Sequence, residues 1–334
     1  MLKLCLALVL PLLLVLLQGP RVIPLLHKLH FGQTIYELGP QTHKNKQGTP
    51  VMGGLMMAAA VTVTVLLLHV GQWQGGWDFT LALLVMSLLS MAVGFADDFI
   101  KAVKKRHEGL TPWQKIAGQV LVSAAFAWYC YNHPYVGSSI EVPFTTLSWD
   151  LGWWYVPLMT LLCILMVNSA NLQDGLDGLL STVTSAGTPG WAALALMAAL
   201  AGGTQMNIAM FALALTGASL GFLRFNRYPA KVFMGDTGSM FIGGAMVGMA
   251  LLLRQPFLLL FICFTPVMSS VSVILQRYYF KLTHGKRIFR MSPIHHHFEL
   301  CGYSETQIVS MYRVVTVALT GVAVLQWYAL HVFH

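Results

Sequence analysis

Long apolar stretches alternate with short polar segments along almost the whole chain. We interpret ten stretches as membrane-crossing helices, because about 20 apolar residues cover the hydrocarbon layer of a bilayer. The predicted spans are residues 3–24, 51–70, 79–96, 115–131, 151–169, 180–201, 207–223, 238–254, 257–276 and 307–331. The pattern therefore predicts an all-α polytopic membrane protein with about ten transmembrane helices, forming one transmembrane domain over residues 1–334.

Two of these spans carry an unusual sequence. The first imitates a signal peptide, but Gln18-Gly-Pro-Arg21 follows it in place of a small-residue cleavage site, so we expect a retained helix. The span that begins near residue 180 is interrupted by Gly187, Pro189 and Gly190. Membrane helices tolerate such residues where neighbouring helices satisfy the freed backbone groups.

The composition agrees with a protein embedded in lipid. Of 334 residues, 56% are hydrophobic and 10% are charged, whereas soluble domains carry roughly 25% charged residues. The five cysteines form no Cys-x-x-Cys pair. We therefore interpret them as apolar helix residues and not as a metal site or a disulfide framework.

The net charge of +8 comes from lysines and arginines that are concentrated on one side of the predicted bundle. The positive-inside rule assigns that side to the cytoplasm and both termini to the outside. A basic chain could also bind nucleic acid, but no nucleic-acid-binding motif is present, so we expect no such partner. The cytoplasmic connections are residues 25–50, 97–115, 170–179, 224–237 and 277–306.

Five polar, motif-like segments lie at the ends of apolar spans, and all five fall on the predicted cytoplasmic side. Carboxylates, amides and imidazoles gathered on one face of a membrane protein indicate a reaction at the membrane surface. The segments are residues 46–54, 95–101, 168–178, 233–238 and 293–299.

Asp97 and Asp98 stand at the mouth of the third span. Adjacent helical residues point about 100° apart, whereas Asp97 and Lys101 are four residues apart and share a face. This arrangement suits a general base or a metal-associated carboxylate beside a phosphate-binding lysine. The alternative is a solvated helix end with an ordinary ion pair.

Amides and carboxylates recur at every third position after the fifth span, at Asn168, Asn171, Asp174 and Asp177. Such clusters suit oxygen-coordinated Mg²⁺ and the ribose or base of a nucleotide. The alternative is a polar turn that ends a helix.

Asp236 is a lone carboxylate between two glycines, directly before a span. Mg²⁺ in proteins prefers one or two carboxylates together with substrate phosphate oxygens. Asp236 could equally cap the helix that follows it, and both roles could hold together.

His295, His296 and His297 follow a basic stretch. Adjacent residues rarely converge on one metal, and no His-x-x-x-His spacing or cysteine partner supports zinc. We expect these histidines to donate hydrogen bonds to phosphate or sugar oxygens of a substrate. Metal ligation and a structural role are the alternatives.

Taken together, these segments resemble the polyprenyl-phosphate N-acetylhexosamine-1-phosphate transferases. The segment Pro293-Ile-His-His-His-Phe-Glu299 is similar to the phospho-N-acetylmuramoyl-pentapeptide transferase branch of that superfamily. The similarity covers nearly the whole chain, and the family's topology has ten spans with both termini outside. Val51 and Ser269 depart from the family pattern, so no role is carried over to either position.

The resemblance implies transfer of phospho-MurNAc-pentapeptide from UDP-MurNAc-pentapeptide to undecaprenyl phosphate, which gives lipid I and UMP. Mg²⁺ would be required, and the protein would lie in the bacterial cytoplasmic (inner) membrane with its site on the cytoplasmic face. The implied partners are these two substrates, membrane lipid and a second copy in a homodimer.

The resemblance also implies roles for single residues. Asp236 would bind Mg²⁺, Asp97 would be the base, and Asp98 and Lys101 would support it and hold phosphate. The remaining substrate-binding residues would be Lys46, Asn226 and Phe233 at the uridine, His295, His296 and His297 at the phosphosugar, and Asn168, Asn171, Asp174, Gly175, Leu176 and Asp177 at the nucleoside and diphosphate.

Three other functions remain possible from the sequence. A transferase that uses UDP-GlcNAc would share most of these residues, a lipid transporter or flippase would share the spans, and a scaffold without activity would share both. Direct attack by the lipid phosphate and a two-step route through a covalent intermediate would also use similar residues. We expect direct attack, because carboxylates can act as a base without becoming nucleophiles.

Overall fold

A computed structural model describes residues 1–29, 48–69, 77–104 and 108–332 of the chain. Helices dominate this part of the protein. In chain order the elements are α1 (Leu2–Lys28), α2 (Gly54–His69), α3 (Trp77–Lys104), α4 (Pro112–Asn132), β1 (Ser139–Glu141), β2 (Ser148–Asp150), α5 (Tyr155–Gln173), α6 (Leu179–Leu200), α7 (Met206–Asn226), α8 (Gly235–Leu252), α9 (Leu259–Ile262), α10 (Phe264–Leu282), α11 (Ile294–Leu300) and α12 (Glu305–Val332).

Each predicted span coincides with helical structure, and the polytopic helical class is confirmed. Within the described residues, six helices are long and apolar enough to cross a membrane, or seven if one bent pair counts as a single span. The full set of ten crossings, the outward termini and the cytoplasmic position of the motifs stay predictions. The six are Leu2–Lys28, Asp78–Lys104, Gly152–Gln173, Leu179–Leu200, Met206–Asn226 and Glu305–Leu330.

The span predicted at 257–276 is wrong as one continuous helix. The chain bends by 91° between Pro256–Ile262 and Phe264–Leu282. Pro266 explains the break, because it has no N–H and its ring would clash with the carbonyl of Ile262 in a continuing helix. An apolar sequence alone conceals this bend, since both arms remain hydrophobic.

Within the described residues the protein also contains a small antiparallel hairpin, which the all-α prediction did not include. Strand β1 pairs with β2, with Ile140 opposite Trp149. The hairpin contacts the chain just after α8, where the Glu141 N–H donates to the carbonyl of Arg254 over 2.9 Å. It follows α4 and precedes α5, at the bundle end opposite the polar motifs. Strands of three residues are too short for their alternation to be recognised in a sequence.

Helix α8 occupies the centre of the bundle. Every one of its residues from Thr237 to Leu252 is buried, and its main neighbours are α3 and α5. Small residues permit this packing: a Cβ on Gly94 of α3 would overlap the carbonyl oxygen of Asp236. The start of α8 is therefore held directly against the end of α3, where the paired carboxylates lie.

Candidate active site

Three carboxylates from two sequence motifs converge where α3 ends and α8 begins. Asp97, Asp98 and Asp236 each offer one oxygen atom, and these atoms all lie within 4.8 Å of one another. The sequence identified the paired aspartates and Asp236 separately. Their convergence could not be deduced from spacing, since 138 positions separate Asp98 from Asp236 along the chain.

Side chains from three helices meet at Asp236. Its Oδ2 atom lies 2.7 Å from Nζ of Lys115 and 3.4 Å from Nζ of Lys101. Its Oδ1 atom accepts a hydrogen bond of 2.7 Å from Nδ2 of Asn171. Two ammonium groups beside a buried carboxylate cluster provide positive charge for an anionic ligand.

Asp98 stabilises the first turn of α8 from the neighbouring helix. Its Oδ2 atom accepts from the backbone N–H of Thr237 over 2.9 Å and from the Thr237 hydroxyl over 2.7 Å. Thr237 is the third residue of α8, where an N-cap side chain usually accepts the N–H. The helix has no cap of its own, because Met234 stands at its N-cap position. Asp98, and not Asp236, therefore supplies the capping interaction.

Asp97 contacts Gly109 and Leu110, which directly precede α4. Its Oδ2 atom is 2.5 Å from Nζ of Lys101, which confirms the predicted pair on one helix face. Its Oδ1 atom accepts from the backbone N–H of Leu110 over 2.8 Å. A Cβ on Gly109 would lie 2.5 Å from the same Oδ1 atom, so only glycine lets this segment pass so closely.

The motif after α5 approaches the carboxylates through Asn171 and Asp174. Burial raises the pKa of Asp174, and the carboxylates of Asp236 and Asp98 raise it further. These causes indicate that Asp174 shares the electrostatic environment of the cluster. Asn171 also donates to Ser239 Oγ over 3.0 Å, so it bridges two residues of the first turns of α8.

Asp177 and Asn226 organise the segment between α7 and α8. Asp177 Oδ2 accepts from Ala230 N–H over 2.9 Å, and Asn226 Nδ2 donates to the carbonyl of Val232 over 3.0 Å. The side chains of both residues are buried. The structure gives them this positioning role, and their predicted contacts with substrate stay predictions.

Asn168 is held in a reciprocal pair of amides. Its Nδ2 donates to Oε1 of Gln119 over 2.7 Å, and Gln119 Nε2 donates back to its Oδ1 over 3.2 Å. Lys115 stands one helical turn before Gln119 on α4, and Asn171 stands three residues after Asn168 on α5. The amide pair therefore fixes the two helices that deliver Lys115 and Asn171 to Asp236.

Backbone hydrogen bonds of Phe233 connect the two segments predicted to bind uridine. Its N–H donates to the carbonyl of Pro50 over 2.8 Å, and its carbonyl accepts from Gly53 N–H over 2.9 Å. The segment Pro50–Gly53 therefore lies against the segment that precedes Asp236. Lys46, the other residue predicted for this part of the site, lies outside the described residues.

The three histidines occupy α11 and differ in their surroundings. The His295 side chain is fully buried, and a Cβ on Gly175 would overlap its ring nitrogen Nε2. His296 Nδ1 lies 2.6 Å from Oε2 of Glu299. His297 Nδ1 accepts from the backbone N–H of Arg290 over 3.2 Å. The histidine segment therefore lies directly against the motif after α5.

Leu176 belongs to the same contact region but is an apolar packing residue. It is buried in a small cluster with Leu179 and Val183 of α6 and with Ile308 and Tyr312 of α12. Glu305, at the start of α12, accepts the Asp177 N–H over 3.1 Å. The start of α12 is thus attached to the motif after α5.

Comparison with known proteins agrees with this arrangement of motifs. Residues 80–254 match the family described as glycosyl transferase family 4. This chain belongs to glycosyl transferase family 4. The match includes Asp97, Asp98 and Asp236, whereas the histidine segment follows it.

Relatives in this family resemble the chain over most of its length. The phospho-N-acetylmuramoyl-pentapeptide-transferase of Clostridium perfringens (strain 13 / Type A) is 43% identical over 322 residues, which is 96% of this chain and 98% of the relative. The protein of the same name from Heliobacterium modesticaldum (strain ATCC 51547 / Ice1) is 46% identical over 295 residues, or 88% of each chain. The family resemblance inferred from the motifs is confirmed.

Three contributors to this family 4 site were missed in the sequence: Lys115, Gln119 and Thr237. Lys115 belongs to a basic connection, where the positive-inside rule already accounts for a lysine. Gln119 lies inside a predicted span, and only its distance from Lys115 hints at a shared face. Thr237 follows Asp236 directly, but its partner Asp98 is remote in sequence.

Proposed function

We propose that this protein transfers phospho-MurNAc-pentapeptide from UDP-MurNAc-pentapeptide to undecaprenyl phosphate in the bacterial inner membrane. The products are lipid I and UMP, and the reaction belongs to peptidoglycan biosynthesis. The observation that carries the proposal is the convergence of Asp97, Asp98 and Asp236 within 4.8 Å in a chain whose relatives bear this activity's name. The transferase class follows from the family.

The donor atoms of the cluster fit Mg²⁺. Hard divalent cations take oxygen ligands, and carboxylates are their usual protein partners. Asp236 would hold the ion, and Asp98 lies beside it in the same carboxylate cluster. When bound, Mg²⁺ would neutralise charge on the diphosphate of the donor.

The reaction exchanges one phosphorus–oxygen bond for another. An oxygen of undecaprenyl phosphate attacks the phosphorus that carries the sugar, and the bond from that phosphorus to the bridging oxygen breaks. The bridging oxygen and its electron pair leave with UMP. Asp97 removes a proton from the carrier phosphate, and the Leu110 N–H and Lys101 hold its carboxylate for that task.

The neighbouring groups bind and orient the two substrates. Lys101 and Lys115 supply positive charge to phosphate oxygens as negative charge develops on the leaving group. Asn171 and Asp174 line the diphosphate region, and His296 and His297 reach the phosphosugar. Lys46 and Phe233 hold the uridine, with the Phe233 ring stacked on the base.

Two alternative functions are a transferase with another donor sugar and a lipid flippase. A GlcNAc-1-phosphate transferase would use the same cluster, and the histidine segment argues for the muramoyl donor. A flippase would need no chemistry, whereas the carboxylates here are gathered with lysines at helix ends and not along a path through the membrane.

A homodimer remains the oligomeric state that we expect.

Release of UMP by the purified protein tests the proposal. With Mg²⁺ and undecaprenyl phosphate, UDP-MurNAc-pentapeptide should give UMP, UDP-GlcNAc should give little, and omission of the lipid should stop release. Release from UDP-GlcNAc alone would assign the protein to the sibling activity. No release from folded protein with either donor would favour transport.

Removal of Mg²⁺ should abolish UMP release. The ion's contribution to stabilising the transition state is worth several kcal/mol, so we expect a loss of about 100-fold or more in a chelator. Addition of excess Mg²⁺ should restore the rate, whereas an equal ionic strength of NaCl should not. A rate that survives exhaustive chelation would show that the carboxylates act without a metal.

Gln119→Leu should lower kcat, because it removes the amide that holds α4 against α5 and leaves the Asn168 amide without its partner. Small misplacements of catalytic groups are costly, and we expect a loss of about tenfold. The matched control is Gln326→Leu, which makes the same change near the hairpin, where Gln326 accepts from Phe144 N–H. Equal kcat values in the two variants would refute a positioning role for Gln119.

A further inference from the structure

Arg313 stands on the outer surface of an apolar helix. It is exposed, and its neighbour Val314 and the next turn's Val317 are 63% and 55% exposed. Tyr312, on the opposite face, is buried in the packing cluster against α6. Arg313 therefore points away from the bundle, toward the place that lipid would occupy around a spanning helix.

A polar stripe connects Arg313 with the start of α12. Thr306, Ser310 and Arg313 are all exposed, and their spacings of four and three residues put them on one helix face. Arg313 is eight residues from Glu305, so its Cα lies about 12 Å along the helix axis. Side chains of a helix tilt toward its N-terminus, which directs the guanidinium of Arg313 toward the two hydroxyl groups.

A charge at this depth requires an anionic or polar partner. In the part of the chain that the structure describes, no hydrogen bond or ion pair of Arg313 with protein is seen. An arginine that faces lipid extends its guanidinium to the interface, where phosphate groups lie. A planar guanidinium binds two phosphate oxygens at once, and hydroxyl groups can donate to a third.

We propose that Arg313, with Ser310 and Thr306, binds the phosphate of an anionic phospholipid of the surrounding membrane. The start of α12 adjoins the predicted cytoplasmic motifs through the contact between Glu305 and the Asp177 N–H. The bound headgroup would therefore lie in the leaflet that faces the cytoplasm. This inference does not depend on the proposed reaction.

The position of α12 favours a bulk phospholipid over the lipid substrate. This helix packs mainly against α6, α9 and α10, whereas the three carboxylates stand on α3 and α8. The exposed face of α12 lies opposite the face that carries Ile308 and Tyr312. Those two residues pack against Leu176, in the motif after α5. A carrier phosphate bound at Arg313 would therefore not reach the carboxylate cluster.

Native mass spectrometry of the purified full-length protein tests this site. Phosphatidylglycerol would be titrated into delipidated wild type, Arg313→Leu and Arg313→Lys, with Lys286→Leu as a control that removes an exposed charge outside the membrane helices. We expect the tightest phosphatidylglycerol to bind about tenfold more weakly to Arg313→Leu, the loss typical of one charge-assisted contact. Lys286→Leu should bind like wild type, and Arg313→Lys should lie between.

Competition identifies the source of the phosphate. Phosphatidylcholine should not replace the bound phosphatidylglycerol, and an equal concentration of undecaprenyl phosphate should leave it in place. Equal binding by wild type and a correctly folded Arg313→Leu would overturn the site. Displacement by undecaprenyl phosphate would overturn its assignment to bulk phospholipid, and displacement by phosphatidylcholine would overturn its selectivity for anionic headgroups. UMP release measured on the same samples separates this outcome from failure of the proposed reaction.

Discussion

Asp236→Asn is expected to reduce UMP release by about 1,000-fold, the scale on which loss of a preorganised charge at a reaction centre acts. The Asp236 carboxylate lies 2.7 Å from Nζ of Lys115 and 3.4 Å from Nζ of Lys101, and it accepts a hydrogen bond of 2.7 Å from the Asn171 amide. An asparagine has only one acceptor oxygen and presents an NH₂ group to one of these donors. It would also be a much poorer ligand for Mg²⁺.

The control for this variant makes the same chemical change at a distant carboxylate. Asp150 lies in the exposed hairpin, where its side chain accepts from Ser138 Oγ and Gly152 N–H. Asp150→Asn should release UMP at the wild-type rate. A folded Asp236→Asn protein that retains more than about a tenth of the wild-type rate of UMP release would show that Asp236 is not essential to catalysis. A tenfold loss corresponds to only about 1.4 kcal/mol of activation free energy.

Asp98→Ala should reduce both the rate of UMP release and the thermal stability of the protein. Asp98 is 6% exposed and accepts two hydrogen bonds from Thr237 at the start of α8. Its removal leaves a buried N–H and a buried hydroxyl without this acceptor, at a cost of about 1–3 kcal/mol. The first turn of α8 would loosen, and Asp236 would move with it.

Thermal unfolding in detergent, followed in parallel with UMP release, separates the two effects of Asp98. Thr237→Val removes the hydroxyl donor and keeps the N–H, so its unfolding temperature should fall by less than that of Asp98→Ala. Its UMP release should remain measurable. An Asp98→Ala protein that unfolds like wild type would show that the capping contact does not stabilise α8.

The sequence predicted the helices well because membrane spans carry a strong and local signal. A run such as residues 207–223 is mostly apolar and has no charged residue, and α7 indeed covers it from Met206 to Asn226. The bend before Pro266 and the hairpin at Ile140 and Trp149 escaped prediction for different reasons. The bend depends on one clash within an apolar run, and the hairpin consists of strands too short to show alternation.

The site was predictable in its chemistry but not in its connections. Asp97, Asp98 and Asp236 were identified because carboxylates at the ends of apolar helices are unusual. That Asp98 caps α8, and that Gln119 pairs with Asn168, depends on how the helices pack. Such contacts between remote residues leave no periodic pattern in one sequence. For the same reason nothing in the sequence indicated that the Asn226 amide donates to the Val232 carbonyl. Its predicted contact with the uridine stays a prediction.

We expect the phosphosugar to move to the lipid, and not the sugar alone. A donor that carries ³²P in the phosphate next to the sugar distinguishes these reactions directly. The purified protein would be incubated with this UDP-MurNAc-pentapeptide, Mg²⁺ and undecaprenyl phosphate, and the lipid and aqueous phases would then be separated. We expect the label in the lipid product and unlabelled UMP in the aqueous phase. Label that stays in aqueous UDP would show that the bond between sugar and phosphate is cleaved, which would contradict the proposed attack on phosphorus.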